Sequence, residues 1–241
     1  MEAFGFAHFL EHTDTVGRCV LLLLLLLSMA SWYLIITKSI ANMLAKRRAD
    51  IFLKDFWVAD SLQQVNETLH KNPIDNAFAE LAHQALHAAD DGRNPAMHKL
   101  ATAGGLNEYL TRVLRNSIDQ EASKNENGLT VLASTGSSAP FIGLFGTVWA
   151  IYNALVQIGL SGQGTLDKVA GPVGEALIMT AVGLAVAIPA VLAYNALNRR
   201  NRVWLSRLDA FAHDIYSVIA VGEKPNTSAA IRFVVNNPQM P

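Results

Sequence analysis

The stretch from Ala170 to Asn198 constrains this chain most, because it is apolar almost throughout and yet contains one acid, Glu175. It is long enough to cross a lipid bilayer as a helix, which takes about 20 residues. A charged side chain at the bilayer centre costs on the order of 2.5 to 3.5 kcal/mol, and acids found there usually face a protein interior or an ion path. The sequence therefore predicts a membrane helix with a functional carboxylate.

Glu175 also has a purely structural interpretation. Pro172 suits the first turn of a helix, and Glu175 would then lie about one turn inside the span, where its side chain can reach water. Its resting protonation stays open, since burial favours the neutral acid and a helix amino terminus favours the anion.

Composition limits the classes of function. Of the 241 residues, 51% are hydrophobic and only 16% are charged, against about 25% charged in soluble domains. The net charge of −1 argues against nucleic acid as a partner. A single cysteine, Cys19, excludes an internal disulfide framework. No phosphate-binding loop, Cys–His cluster or nucleophile motif is visible, so we expect no enzyme, no catalytic residue, no cofactor and no metal site.

Two further apolar stretches complete a three-span pattern. Val20–Ile36 resembles a signal peptide, but its basic cluster follows the apolar run instead of preceding it. Leu129–Leu160 has small residues every seven positions, at Gly136, Gly143 and Ala150. Such spacing lets helices approach closely in lipid and favours a ring-shaped oligomer. Thr147 is the polar side chain of most interest here, although its hydroxyl could simply bond to its own helix.

The polar region between the first two spans is predicted to be helical. Asn72-Pro73 and Asn94-Pro95 each resemble a helix start. Apolar residues recur at helical spacing after the first of them, at Ile74, Phe78, Leu81, Ala82, Ala85 and Leu86. This region is interpreted as a helical scaffold.

The third span carries a second polar group, Thr180. At about 100° per residue it lies roughly 140° around the helix from Glu175. One of the two side chains can therefore face a lumen while the other meets a neighbouring helix.

Basic residues set the predicted topology, because they cluster after the first and third spans, on the side that remains in the cytoplasm. The segments are a periplasmic tail (1–17), span one (18–40), a cytoplasmic helical region (41–128), span two (129–160), a periplasmic link (161–171), span three (172–198) and a cytoplasmic carboxy-terminal region (199–241).

Two motifs resemble the ExbB/TolQ/MotA proton-channel family, and the ExbB branch most. They are GLFGTVWAI, residues 143–151, and GPVGEALIMTAVGLAVAIPAVLAYN, residues 171–195. The resemblance implies a proton pathway in which Glu175 is the membrane glutamate and Thr147 and Thr180 are the pore-lining threonines.

The resemblance also implies partners and a location. ExbB-like proteins form a homopentamer around the membrane helices of an ExbD-like one-span protein, and they energise a TonB-like protein that drives outer-membrane transport. The chain would then be a multi-pass protein of a bacterial inner membrane, in contact with lipid.

Other functions stay open at this stage. A TolQ-like subunit of a cell-envelope motor would use the same chemistry with different partners, whereas a MotA-like protein has four spans. A solute transporter would show repeated halves and paired broken helices, which are not visible. A non-conducting membrane scaffold would hold Glu175 in a buried hydrogen bond.

Overall fold

Every regular element of the described chain is an α-helix. The computed structural model describes residues 14–59, 61–71, 74–93, 105–161 and 166–221, without the side chains of residues 92, 93, 161, 166–170, 172, 175 and 221. The helices are α1 (Thr15–Val58), α2 (Leu62–Lys71), α3 (Ala77–Arg93), α4 (Gly105–Glu126), α5 (Leu129–Ser161) and α6 (Leu166–Val221).

Three of these helices, α1, α5 and α6, are long and apolar enough to cross a membrane. Large apolar side chains are exposed along all three, among them Leu22, Phe141 and Leu192. In water such a surface would be unfavourable, whereas in lipid it costs nothing. The fold is therefore that of an all-α chain with three candidate membrane spans, as the sequence predicts.

The chain divides into two compact units. The described residues of 1–39 and 128–198 form one, here called the span unit, and those of 40–127 and 199–241 form the other, here called the helical unit. The helices α1 and α6 each contribute residues to both units.

The helical unit has a core of aromatic and alanine side chains. The ring centre of Phe211 lies 5.0 Å from the ring centre of Phe56 and 5.5 Å from that of Phe78, and both contacts are edge-to-face. The buried face of α3 consists of small and apolar residues, which are Phe78, Ala79, Leu81, Ala82, Ala85, Leu86, Ala88 and Ala89. This confirms the predicted helical spacing after residue 77.

The predicted helix start at Asn72-Pro73 is wrong, because α3 begins only at Ala77. Asn76 caps it, accepting a hydrogen bond from the amide of Ala79 to its Oδ1 at 2.9 Å. Ile74 precedes the helix and is exposed. Residues 72–73 and the second predicted start, at Asn94-Pro95, lie outside the described residues.

In the span unit, α5 and α6 meet backbone to backbone at two glycines. A Cβ atom added at Gly143 would lie 2.7 Å from the carbonyl oxygen of Met179 and 3.0 Å from the Cα of Gly183. One added at Gly183 would lie 2.7 Å from the carbonyl oxygen of Ala139. Only glycine fits at these two positions, so Gly143 serves packing within one chain and does not by itself indicate contact between subunits.

We expect Gly143→Ala to destabilise the span unit, because the new methyl group would press on a backbone carbonyl that cannot turn away. Overpacking of this kind typically costs about 1–3 kcal/mol. The matched control is Gly159→Ala on the same helix, where an added Cβ meets nothing within 4 Å and helix propensity should rise. Thermal unfolding of the two purified variants in detergent compares them, and equal midpoints would contradict the proposed close contact.

Candidate functional site

The two predicted threonines are brought together in the span unit. The hydroxyl oxygens Oγ1 of Thr147 on α5 and Thr180 on α6 lie 2.6 Å apart. The Thr147 hydroxyl also lies 2.9 Å from the carbonyl oxygen of Ala176 and 3.2 Å from that of Gly143. We call Thr147 and Thr180 the threonine pair.

Hydrogen counting assigns donors and acceptors in this group. Each threonine hydroxyl has one proton to donate and can accept as well. Carbonyl oxygens only accept, so Thr147 donates to a carbonyl, and the carbonyl of Ala176 is the nearer of the two. Thr180 then donates to Thr147. The pair thus links α5 to the turn of α6 that contains Ala176.

Helix geometry explains why these residues meet. Gly143 and Thr147 are four residues apart on α5, as are Ala176 and Thr180 on α6, so each pair shares one helix face. The backbone contact at Gly143 brings the faces close enough for a short side chain to reach across. The facing surfaces of the two helices are buried here, and the side chains of Thr147 and Ala176 are almost inaccessible to solvent.

Residue 175 lies in α6, directly before Ala176. Its side chain lies outside the described part of the chain. Of the two arrangements that the 140° angle allowed, Thr180 adopts the one in which it meets the neighbouring helix. The direction of Glu175 stays a prediction.

A second polar group, not anticipated from the sequence, lies where α1 begins. Asp14 caps α1 by accepting a bond from the amide of Gly17 to Oδ1 at 2.8 Å. Its other oxygen, Oδ2, accepts bonds from Trp149 Nε1 at 2.6 Å and from Asn153 Nδ2 at 2.9 Å. One carboxylate therefore ties the start of α1 to α5, close in sequence to Thr147.

The cap itself has a sequence signal, since Asp14 is a favoured N-cap residue and lies six positions before the apolar run Val20–Ile36. The partners of Asp14 on α5, Trp149 and Asn153, have no such signal in the sequence, because their contact depends on how α1 and α5 are aligned.

Comparisons with known proteins show which family the chain belongs to. Residues 70–210 match the model of the MotA/TolQ/ExbB proton channel family. The chain is 38% identical over 238 residues to the biopolymer transport protein ExbB of Xanthomonas campestris pv. campestris, covering 93% of this chain and 92% of the relative. The chain belongs to the MotA/TolQ/ExbB proton channel family.

The chain is similar to relatives that have two different names, ExbB and TolQ. The biopolymer transport protein ExbB of Neisseria meningitidis serogroup A is 44% identical over 207 residues, which is 86% of this chain and 93% of the relative. The Tol-Pal system protein TolQ of Pseudomonas aeruginosa is 32% identical over 212 residues, 87% and 90% of the two chains. Membership of this family identifies the chain as a channel subunit and not an enzyme.

Removing the Thr147 hydroxyl should loosen α5 from α6. Thr147→Val keeps the branched shape but loses the bonds to Ala176 and Thr180, and we expect a loss of about 0.5–1.5 kcal/mol. A double-mutant cycle with Thr180→Val, read by thermal unfolding in detergent, isolates the contribution of the pair.

The control for this cycle is Thr37→Val, since the Thr37 hydroxyl is exposed and donates to its own helix at Tyr33 O, 2.7 Å away. Strictly additive effects of the two substitutions at the threonine pair would show that the 2.6 Å contact contributes nothing.

Proposed function

We propose that this chain is the proton-channel subunit of an inner-membrane motor that uses the proton motive force to energise TonB-dependent outer-membrane transport. The observation that carries the proposal is the threonine pair, bonded to the turn of α6 directly beside Glu175. Membership of a proton channel family supports the chemistry. The ExbB-named relatives, at 38% and 44% identity, favour the TonB branch over TolQ, at 32%.

In this mechanism Glu175 is the group that takes up and releases the proton. Threonine hydroxyls do not ionise near neutral pH, whereas a carboxyl group does. Thr147 and Thr180 lie beside this path, hold the α6 turn in place and offer a hydroxyl to water. Each proton that crosses 100 mV supplies about 2.3 kcal/mol, enough to bias a packed helix interface between two arrangements.

One acid per subunit does not make a continuous path and needs water or a partner's carboxylate, and the resemblance to ExbB-like proteins supplies the candidate partners. We propose a homopentameric ring around the membrane helices of an ExbD-like one-span protein, which contributes a second carboxylate, and force transfer to a TonB-like protein. The exposed apolar faces of α1, α5 and α6 are available for lipid, for neighbouring subunits and for such a helix.

A TolQ-like role in a cell-envelope motor is the second candidate. The observation that supports it is the 32% identity to a Tol-Pal system protein over most of both chains. The two roles share the proton chemistry and differ in the partner that is driven, so partner-dependent uptake distinguishes them.

The proposed orientation places the amino terminus in the periplasm and the carboxy terminus in the cytoplasm. Exposed basic residues follow the first and third spans, at Lys46, Arg47, Arg48, Arg199, Arg200 and Arg202. A reporter fused after Pro73 should therefore read as cytoplasmic, and one at Gly164 as periplasmic. Reversed readings would overturn this orientation and the direction of the proton path.

Glu175→Gln tests the proposed function. The substitution keeps the size and hydrogen bonding of the side chain but removes its titration, so TonB-dependent uptake should disappear while the protein still inserts and assembles. Glu175→Asp should retain a small part of the activity, because it stays an acid but is one methylene shorter. Uptake is measured in a strain with no other copy of the protein, with protein level and oligomeric state checked alongside.

Glu108→Gln is the matched control, since Glu108 is an exposed acid of the helical unit that pairs with Arg112, and its loss should leave uptake unchanged. The scaffold interpretation predicts the reverse for position 175, where a neutral side chain should be tolerated in lipid. Normal uptake in the Glu175→Gln strain would end the assignment of this residue to the proton path.

A further inference from the structure

Two hydroxyl groups in the span unit are buried without a partner. Ser31 on α1 is 2% exposed and Thr135 on α5 is 1% exposed. Neither hydroxyl has a hydrogen-bond partner among the described residues. Other hydroxyls of these helices behave differently: those of Thr37 and Ser137 donate to carbonyls of their own helices. An unbonded hydroxyl is costly in an apolar interior, so this pair requires an explanation.

The two hydroxyls lie at nearly the same height along the helix axes. In the middle of α5 a Cβ added at Gly146 would lie 3.1 Å from Val20 Cγ1, near the start of α1. Directly before α5 begins, a Cβ added at Gly128 would lie 3.0 Å from Leu34 Cδ2, further along α1. The helices α1 and α5 are therefore antiparallel. Interpolation between these contacts places Ser31 within about one helical turn, ~5 Å, of the level of Thr135.

Both side chains belong to the faces that pack inside the span unit. Ser31 continues the inward stripe of α1 formed by Val20, Leu24 and Leu27. Thr135 lies between Leu132 and Ala139, which are completely buried on the same face of α5. The two hydroxyls are thus buried from the lipid side and directed into one interior.

A third polar atom belongs to the residue that follows Thr135 in the chain. Pro140 is inside α5 and has no amide hydrogen, so the carbonyl of Gly136, four residues earlier, lacks its usual helical donor. Gly136 is itself buried, with Val191 of α6 against its Cα. Two unbonded hydroxyls and one carbonyl without its helical donor are the two to four polar groups that hold a buried water.

We propose that one water molecule is bound between Ser31, Thr135 and the carbonyl of Gly136, linking α1 to α5 within the chain. The hydroxyls do not bond to each other directly, but a water with two hydrogen bonds of about 2.8 Å each spans oxygens roughly 5 Å apart. Water can accept from both hydroxyls while donating to the carbonyl, so all three groups are satisfied at once.

The water site is separate from the threonine pair. Thr135 and Thr147 are twelve residues apart on α5, or about 18 Å along the helix. Between them Ala139 and Gly143 pack directly on the backbone of α6. The water is therefore a link between helices and not a step of the proposed proton path, and this inference does not depend on the proposed function.

Solid-state NMR on the full chain in lipid bilayers tests the site, with ¹³C-labelled serine, threonine and leucine. Magnetisation transferred from water should reach the Cβ carbons of Ser31 and Thr135 at least about threefold faster than the methyl carbons of Leu24, which is equally buried and apolar. Ser31→Ala and Thr135→Val assign the two signals. In the unmodified chain, transfer to these two carbons no faster than to Leu24 would overturn the proposal.

The link between the two hydroxyls has its own readout. In Ser31→Ala the transfer to Thr135 should fall by at least about half, because the water loses a partner. The control, Thr37→Ala, removes an exposed hydroxyl on α1 that is bonded within its helix and should leave the Thr135 signal unchanged. An unchanged Thr135 signal in Ser31→Ala would show that no water is shared between the helices.

Discussion

The backbone contact between α5 and α6 at Gly143 and Gly183 is the constraint on which the candidate site depends. Lipid tails are as apolar as leucine, so close packing and interhelical hydrogen bonds must hold these helices together. Thr147 lies one turn from Gly143, and its short side chain reaches the Ala176 carbonyl at 2.9 Å only because the backbones touch nearby. A larger residue at Gly143 would separate the helices and the threonine pair with them. The geometry of the candidate site therefore depends directly on the close packing of α5 against α6.

The sequence predicts what is local and misses what depends on register. Hydropathy locates all three candidate spans, and helical spacing identifies the buried face of α3 at Phe78, Leu81 and Ala82. The resemblance to the proton-channel family points to Thr147 and Thr180, and the structure brings their hydroxyl oxygens to 2.6 Å. The contact of Asp14 with Trp149 joins residues 135 positions apart, and no periodicity encodes it. The predicted start of α3 at Asn72 is wrong for a local reason. Asn76 is a second candidate cap, and its side chain accepts a hydrogen bond from the amide of Ala79, three residues later.

The contacts of the basic residues of α6 show that these residues have different roles. Arg199, Arg200 and Arg202 are exposed, as expected of charges that orient a span. Arg207 donates to Asp50 at 2.7 Å and lies over the ring of Phe78, 5.8 Å from its centre. It therefore stabilises the aromatic core of the helical unit, and a count of positive charges alone would have assigned it to topology.

The hydrogen-bond pattern of the threonine pair limits what it can do in proton transfer. When Thr180 donates to Thr147 and Thr147 donates to Ala176, the chain of hydrogen bonds ends at an amide carbonyl, which does not take up a proton near neutral pH. The pair as bonded is therefore not a wire through the span. Its physical effect is to hold the turn of α6 at Ala176, directly after residue 175. In the proposed mechanism a titrating carboxylate at position 175 gains from such a turn, because packing then sets the position of the residue, and the proton passes through this acid and not through the threonine pair.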